Sequence, residues 1–117
     1  MALKITLIHQ IMKKFKSVIT GHLDIIVSKY EEENDGEKEY WNQVQIHGDP
    51  EGLMSLANLL LKLADLDQES IVDLSVGARE HFHLRPKFEL SNSSEEVVVG
   101  RLDAKGTGAF YDCYIPK

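Results

Sequence analysis

The sequence predicts an α+β fold: a mostly antiparallel sheet of four to five strands, with one or two helices packed on one face. Three observations lead there. A leucine-rich helix with a clear start signal lies mid-chain, at residues 50–66. Short segments of alternating apolar and polar residues lie on both sides of it. Turn-forming clusters separate those segments at Asn34-Asp35-Gly36, Ser91-Asn92-Ser93-Ser94 and Lys105-Gly106-Thr107-Gly108.

Taken in order, residues 4–19 place Leu7, Ile8, Ile11, Met12, Phe15, Val18 and Ile19 at helical spacing, with Lys13, Lys14 and Lys16 on the other side. This predicts an amphipathic helix ending at Gly21. Residues 1–20 would be a helical extension of a single domain spanning 1–117. His22 to Tyr30 reads as a strand, with Leu23, Ile25 and Val27 on one face and Asp24, Ile26, Ser28 and Tyr30 on the other. Glu39 to His47 reads as its partner. Tyr40, Val44 and Ile46 share one side there; Trp41, Gln43, Gln45 and His47 share the other. Six acids in residues 31–39 make the intervening turn strongly negative.

The helix from Pro50 to about Leu66 begins with Asp49 as N-cap, proline at the first helical position and Glu51 at the positive end of the helix dipole. Its polar residues Glu51, Ser55, Asn58, Lys62 and Asp65 form one narrow stripe. A helix apolar over the rest of its circumference must be covered on more than one side. The sheet would cover one side, and the N-terminal helix or a second copy of the chain another. Residues 67–78 read as a polar connection with a short element at Ile71 to Val76. Strands follow at Arg79 to Arg85, Glu95 to Asp103 and Ala109 to Ile115.

Composition narrows the function classes. The chain has 117 residues, 43% of them hydrophobic and 27% charged, ordinary values for one soluble domain. A net charge of −6 argues against general nucleic-acid binding, which needs a basic footprint. No apolar run approaches the roughly 20 residues that cross a bilayer, and nothing reads as a signal peptide. The expected address is cytoplasmic, with no membrane partner. The single cysteine, Cys113, lies among Tyr111, Tyr114 and Ile115 and reads as a packed thiol. No cofactor motif is present, and Gly106-Thr107-Gly108 is too short to cradle a phosphate. The adjacent acid pairs Glu31-Glu32 and Glu95-Glu96 point to opposite strand faces and make poor acid–base partners. The chain is therefore not expected to be an enzyme.

Alternation along 79–85 puts Arg79, His81, His83 and Arg85 on one face, with Phe82 and Leu84 toward the core. Two histidines at i and i+2 could chelate a metal if His22, Asp24, His47 or Asp112 supplied a third ligand, which would make the chain a small metal-binding protein or a metal-dependent enzyme built on His81 and His83. The flanking arginines disfavour a dication there. The better reading is a polar binding face that collects Trp41, Gln43, Gln45, His47, Arg79, His81, His83 and Arg85. Exposed Trp, His and Arg together are the kinds of residue that anchor protein interfaces.

The order of these features resembles the Immunity protein 32 family of bacterial polymorphic-toxin systems. The residues that carry the resemblance are Ile46-His-Gly-Asp-Pro-Glu-Gly-Leu53, the Leu56-Ala57…Leu63-Ala64 helix, His81-Phe-His-Leu-Arg-Pro86, and Ser93-Ser-Glu-Glu-Val-Val-Val99. It covers roughly residues 40–103. The basic helix at 4–19 departs from the family's usual compact start. The resemblance implies a cytoplasmic, non-catalytic inhibitor whose partner is a cognate protein toxin.

Overall fold

The computed structural model of the chain describes residues 19–117. The helix expected over 4–19 lies outside the described residues except at Ile19, which packs against the core. The described part is α+β, as expected. It holds four strands in two separate antiparallel pairs, rather than a single four- to five-stranded sheet.

The first pair is a long hairpin of β1 (Leu23–Asn34) and β2 (Glu37–Gly48), in unbroken register from Leu23↔Gly48 to Asn34↔Glu37. The two-residue loop Asp35-Gly36 has φ of 51° and 81°. Positive φ at both positions defines the turn whose twist matches that of paired strands. The ladder therefore runs right up to the loop, and the acidic run lies mostly within the strands. Twelve residues per strand give an arm roughly 40 Å long. Only its base is buried. Leu23 and Ile25 are 2% and 3% exposed, and everything from Lys29 to Gln43 is exposed.

The helix α1 (Pro50–Asp65) starts where the sequence places it, and the Asp49 carboxylate accepts a hydrogen bond from the Gly52 amide at 2.7 Å. The same carboxylate accepts from the His22 amide at 3.0 Å, and the Asp49 amide donates to the His22 carbonyl. One aspartate thus caps the helix and fastens it to the start of β1. Gly52 makes that fit possible, because a Cβ there would overlap the His22 carbonyl. At the other end Arg101 donates to the Leu63 and Leu66 carbonyls while holding both Asp103 oxygens. This satisfies carbonyls that a helix leaves without partners.

The second pair joins β3 (His81–Leu84) to β4 (Val97–Gly100), with Phe82 opposite Val99 and Leu84 opposite Val97. Their inner face meets the arm base and α1 in a core of Leu23, Ile25, Leu56, Leu59, Leu84 and Leu90. β3 and β4 are shorter than the sequence suggested. The reason lies at the outer edge of β1. There Ser91 and Glu95 amides donate to the Leu23 and Ile25 carbonyls, and the Ile25 amide donates to the Ser94 hydroxyl. An irregular serine-rich segment occupies the place a neighbouring strand would take, so the two pairs never merge into one sheet.

Four further expectations need correcting. No strand forms at 109–115; the tail turns back on itself and is pinned by Arg79. Cys113 is consequently exposed and not packed. The 71–76 stretch holds no strand or helix; a single 3₁₀ turn, Gln68–Ser70, precedes it, and Lys105 tethers the stretch through the Ile71 and Leu74 carbonyls. Finally, α1 buries only Gly52, Leu56, Leu59 and Leu63. Leu53, Met54, Leu60 and Leu61 stay exposed among the described residues, while polar Ser55 is half-buried and bonded to Thr20.

Candidate functional site

Register decides which side chains share a face of the arm. Directly opposed residues lie on the same side of an antiparallel pair. Asp24↔His47, Ile26↔Gln45, Ser28↔Gln43 and Tyr30↔Trp41 therefore form the outer face, turned away from α1. Trp41, Gln43, Gln45 and His47 all lie on it, as the alternation predicts. Tyr30 and Trp41 stack with centroids 5.9 Å apart and planes 18° off parallel. The Gln45 amide donates to the Tyr30 hydroxyl at 3.2 Å and to Gln43 at 3.3 Å. The result is an ordered strip of two rings and two amides, with Trp41 still 42% exposed.

His81 and His83 occupy the corresponding outer face of β3. Both are exposed, and their rings meet edge-on with centroids 5.2 Å apart. His81 Nδ1 lies 2.9 Å from the Arg79 carbonyl, and His83 Nδ1 lies 3.4 Å from a Glu96 oxygen. Opposite His81 stands Gly100, which leaves the first ring uncovered.

The two arginines of the row do different work. Arg79 donates to the Leu102 and Ala109 carbonyls at 2.7 and 2.6 Å and lies over the Tyr111 ring at 4.0 Å. Arg85 pairs with Glu89 and covers the Phe88 ring. Both flank β3 instead of belonging to it. Thus the candidate residues fall into two groups on the side away from α1, an arm strip and a histidine pair, with the 91–95 segment between the ribbons that carry them.

That segment contains a feature the sequence reading missed. Asp24 accepts hydrogen bonds from Ser91 at 2.5 Å, Ser93 at 2.7 Å and Ser94 at 3.3 Å. These hydroxyls hold its carboxyl below the usual carboxylate range, with a smaller contribution from His47 across the strand. A carboxylate that collects several donors is stabilised in its charged form. The only sequence signal was the Ser91-Asn92-Ser93-Ser94 cluster, and its partner 67 residues away could not be read from spacing. Among the described residues no three His, Cys, Asp or Glu side chains gather in a way that could hold a metal ion, so His81 and His83 have no third ligand there. No helix among them is long and apolar enough to cross a membrane.

Charge is unevenly distributed. Residues 23–48 contain seven carboxylates and two lysines, so this arm carries a net −5 of the chain's −6.

The class defined by the described residues is a small α+β domain with α1 on the inner side and an exposed polar and aromatic outer side. A model of the family Immunity protein 32 matches residues 43–102, just over half of the chain, and the chain belongs to that family. The match takes in the second half of β2, all of α1, and the β3–β4 pair. No curated protein and no solved structure matches the chain.

Proposed function

We propose that this chain is an immunity protein that binds a cognate bacterial toxin and neutralises it without catalysis, protecting the cytoplasm of the cell that makes the toxin. Membership of the Immunity protein 32 family carries this reading. The outer side supports it with an exposed Trp41–Tyr30 stack and an exposed His81–His83 pair, residue types that serve as anchors when a partner desolvates them. A net charge of −6 suits a protein partner with a basic surface better than a nucleic acid.

The test begins with the gene's surroundings: a large secreted protein encoded beside it would supply the candidate toxin, whose C-terminal domain is then co-expressed with the chain. That domain alone should arrest growth, and the chain should restore it while forming a complex measurable by titration calorimetry. Arrest that persists at full expression of the folded chain, with no complex detected, would sink the reading.

A further inference from the structure

The two outer edges of the arm are not alike: the 91–95 segment takes the base of the β1 edge, and no described segment pairs with β2 on its outer side. In a hairpin closed by a two-residue loop, the pair flanking the loop is hydrogen-bonded and the pairs then alternate. Counting from Asn34↔Glu37, the β2 residues whose N–H and C=O point away from β1 are Lys38, Tyr40, Asn42, Val44, Ile46 and Gly48. The β1 residues that point away from β2 are Leu23, Ile25, Val27, Lys29, Glu31 and Glu33. The hydrogen bonds confirm this phase, because Leu23 and Ile25 are the β1 residues that receive the 91–95 segment.

Proteins protect free edges with charged side chains, prolines or bulges. The rest of the β1 edge follows that practice through Lys29, Glu31 and Glu33. The β2 edge does not. From Tyr40 to Ile46 it carries no charge, no proline and no break in register, and no described segment pairs with it. Its edge residues also present Tyr40, Val44 and Ile46 to the inner side at 70%, 60% and 51% exposure.

From this we infer that Tyr40–Ile46 of β2 accepts an extended segment of the partner protein as an added strand, and that this segment is apolar at alternate positions and basic toward the hairpin tip. Added strands bind through main-chain hydrogen bonds and take specificity from alternate side chains. The apolar inner residues select the first property. Glu31, Glu32, Glu33, Asp35, Glu37 and Glu39 around the tip select the second. The same charge disfavours a second copy of this chain, since pairing two β2 edges would lay two arms of net −5 side by side. The inference rests on the toxin-neutralising reading and specifies how that partner is held.

The experiment is amide hydrogen exchange by NMR on the full-length chain, free and bound to a catalytically inactivated form of the neighbouring toxin domain. In the free chain the Tyr40, Asn42, Val44 and Ile46 amides should exchange faster than the alternating Trp41, Gln43 and Gln45, which are bonded within the hairpin. In the complex the edge amides should slow at least tenfold and the alternation should disappear. Asn42→Pro removes one outward donor and leaves the β1–β2 ladder intact, so it should weaken the complex at least tenfold; Asn42→Thr, which keeps the donor, should bind within threefold of wild type.

A complex that forms with the alternation unchanged overturns the inference and leaves the neutralising reading standing. Edge amides already protected in the free chain overturn it too. If that protection grows with concentration the occupant is a second copy, and if it does not the occupant is the chain's own N-terminal segment. Absence of any complex overturns both readings together.

Discussion

Gly52 and His22 touch backbone to backbone. The first turn of α1 lies so close to the start of β1 that a methyl group on Gly52 would overlap the His22 carbonyl. The contact explains the Asp49-Pro50-Glu51-Gly52 sequence as one device. Asp49 caps the helix and binds the His22 amide, Pro50 sets the first turn, and Gly52 lets the helix approach.

This gives Gly52→Ala a definite sign. At an open helix position the change would stabilise by about 1 kcal/mol, since glycine is the poorer helix former. Here the clash is with a backbone oxygen, which cannot rotate away, so the expected outcome is a loss of about 3 kcal/mol, the upper end of ordinary overpacking. Urea denaturation measures it. A stabilised variant would mean that the helix does not sit against His22 as described.

The two sides of α1 should respond differently to truncation. Leu59→Ala and Leu56→Ala remove side chains only 4% and 9% exposed and should cost about 2–5 kcal/mol. Leu61→Ala and Met54→Ala act at positions 67% and 65% exposed and should stay within about 0.5 kcal/mol. Denaturation curves for the four variants separate the faces. A cost above about 2 kcal/mol at Leu61 would show that face to be covered in solution. Light scattering across concentrations would then distinguish a second copy from residues 1–18.

Much of this was legible in the sequence, and the failures have physical causes. Period-two alternation assigned the faces of β1, β2 and β3 correctly, because a strand's side-chain geometry is local. The helix start was legible for the same reason, since Asp49, Pro50 and Glu51 act within one turn. Apolar content misled where burial depends on distant neighbours. Leu60 and Leu61 resemble Leu59 in the sequence but lie on faces that stay exposed among the described residues. The single sheet failed at Ser91–Ser94, where hydroxyl and loop amides take the edge of β1 in place of a strand. Alternation at 109–115 could not form a strand without an open edge beside it. The candidate face came out as two groups because Arg79 is recruited by the Leu102 and Ala109 carbonyls, an encounter invisible before folding.

Acid should weaken the fold in a predictable window. Hydrogen bonds from Ser91 and Ser93 lower the Asp24 carboxyl below its ordinary 3.8, and backbone amides of His22 and Gly52 do the same for Asp49. With folded pKa values below the unfolded ones, the unfolded chain binds more protons through this range, so stability rises with pH. The contribution is fully present above the unfolded value near 4 and is lost as pH falls through the lowered folded values. Urea midpoints measured from pH 6 down to pH 2.5 should decline in wild type. The decline should be shallower in Asp24→Asn, which has no such proton to take up. Parallel slopes for the two proteins would show that Asp24 is not held by the serines in solution.

The last prediction separates the two candidate groups on the outer side. His81 and His83 make few contacts, so replacing both with Ala should change stability by less than about 1 kcal/mol. Trp41→Ala loses the stack on Tyr30 and should cost about 1 kcal/mol of stability. In complex with the toxin domain, a group that anchors the interface should lose more than about 2 kcal/mol of binding when truncated. With the partner strand laid along β2, Trp41 should exceed that mark, because it stands on the strand being extended. The histidine pair lies on the other ribbon and should exceed it only if the toxin also spans the 91–95 segment. Calorimetry on the two variants and their combination decides the extent of the footprint. Losses that add within about 0.5 kcal/mol would mark two independent contacts, as expected for groups on separate ribbons. If Trp41→Ala binds like wild type, the arm is not the element the toxin grips, and an effect confined to the histidine variant would move the interface to β3.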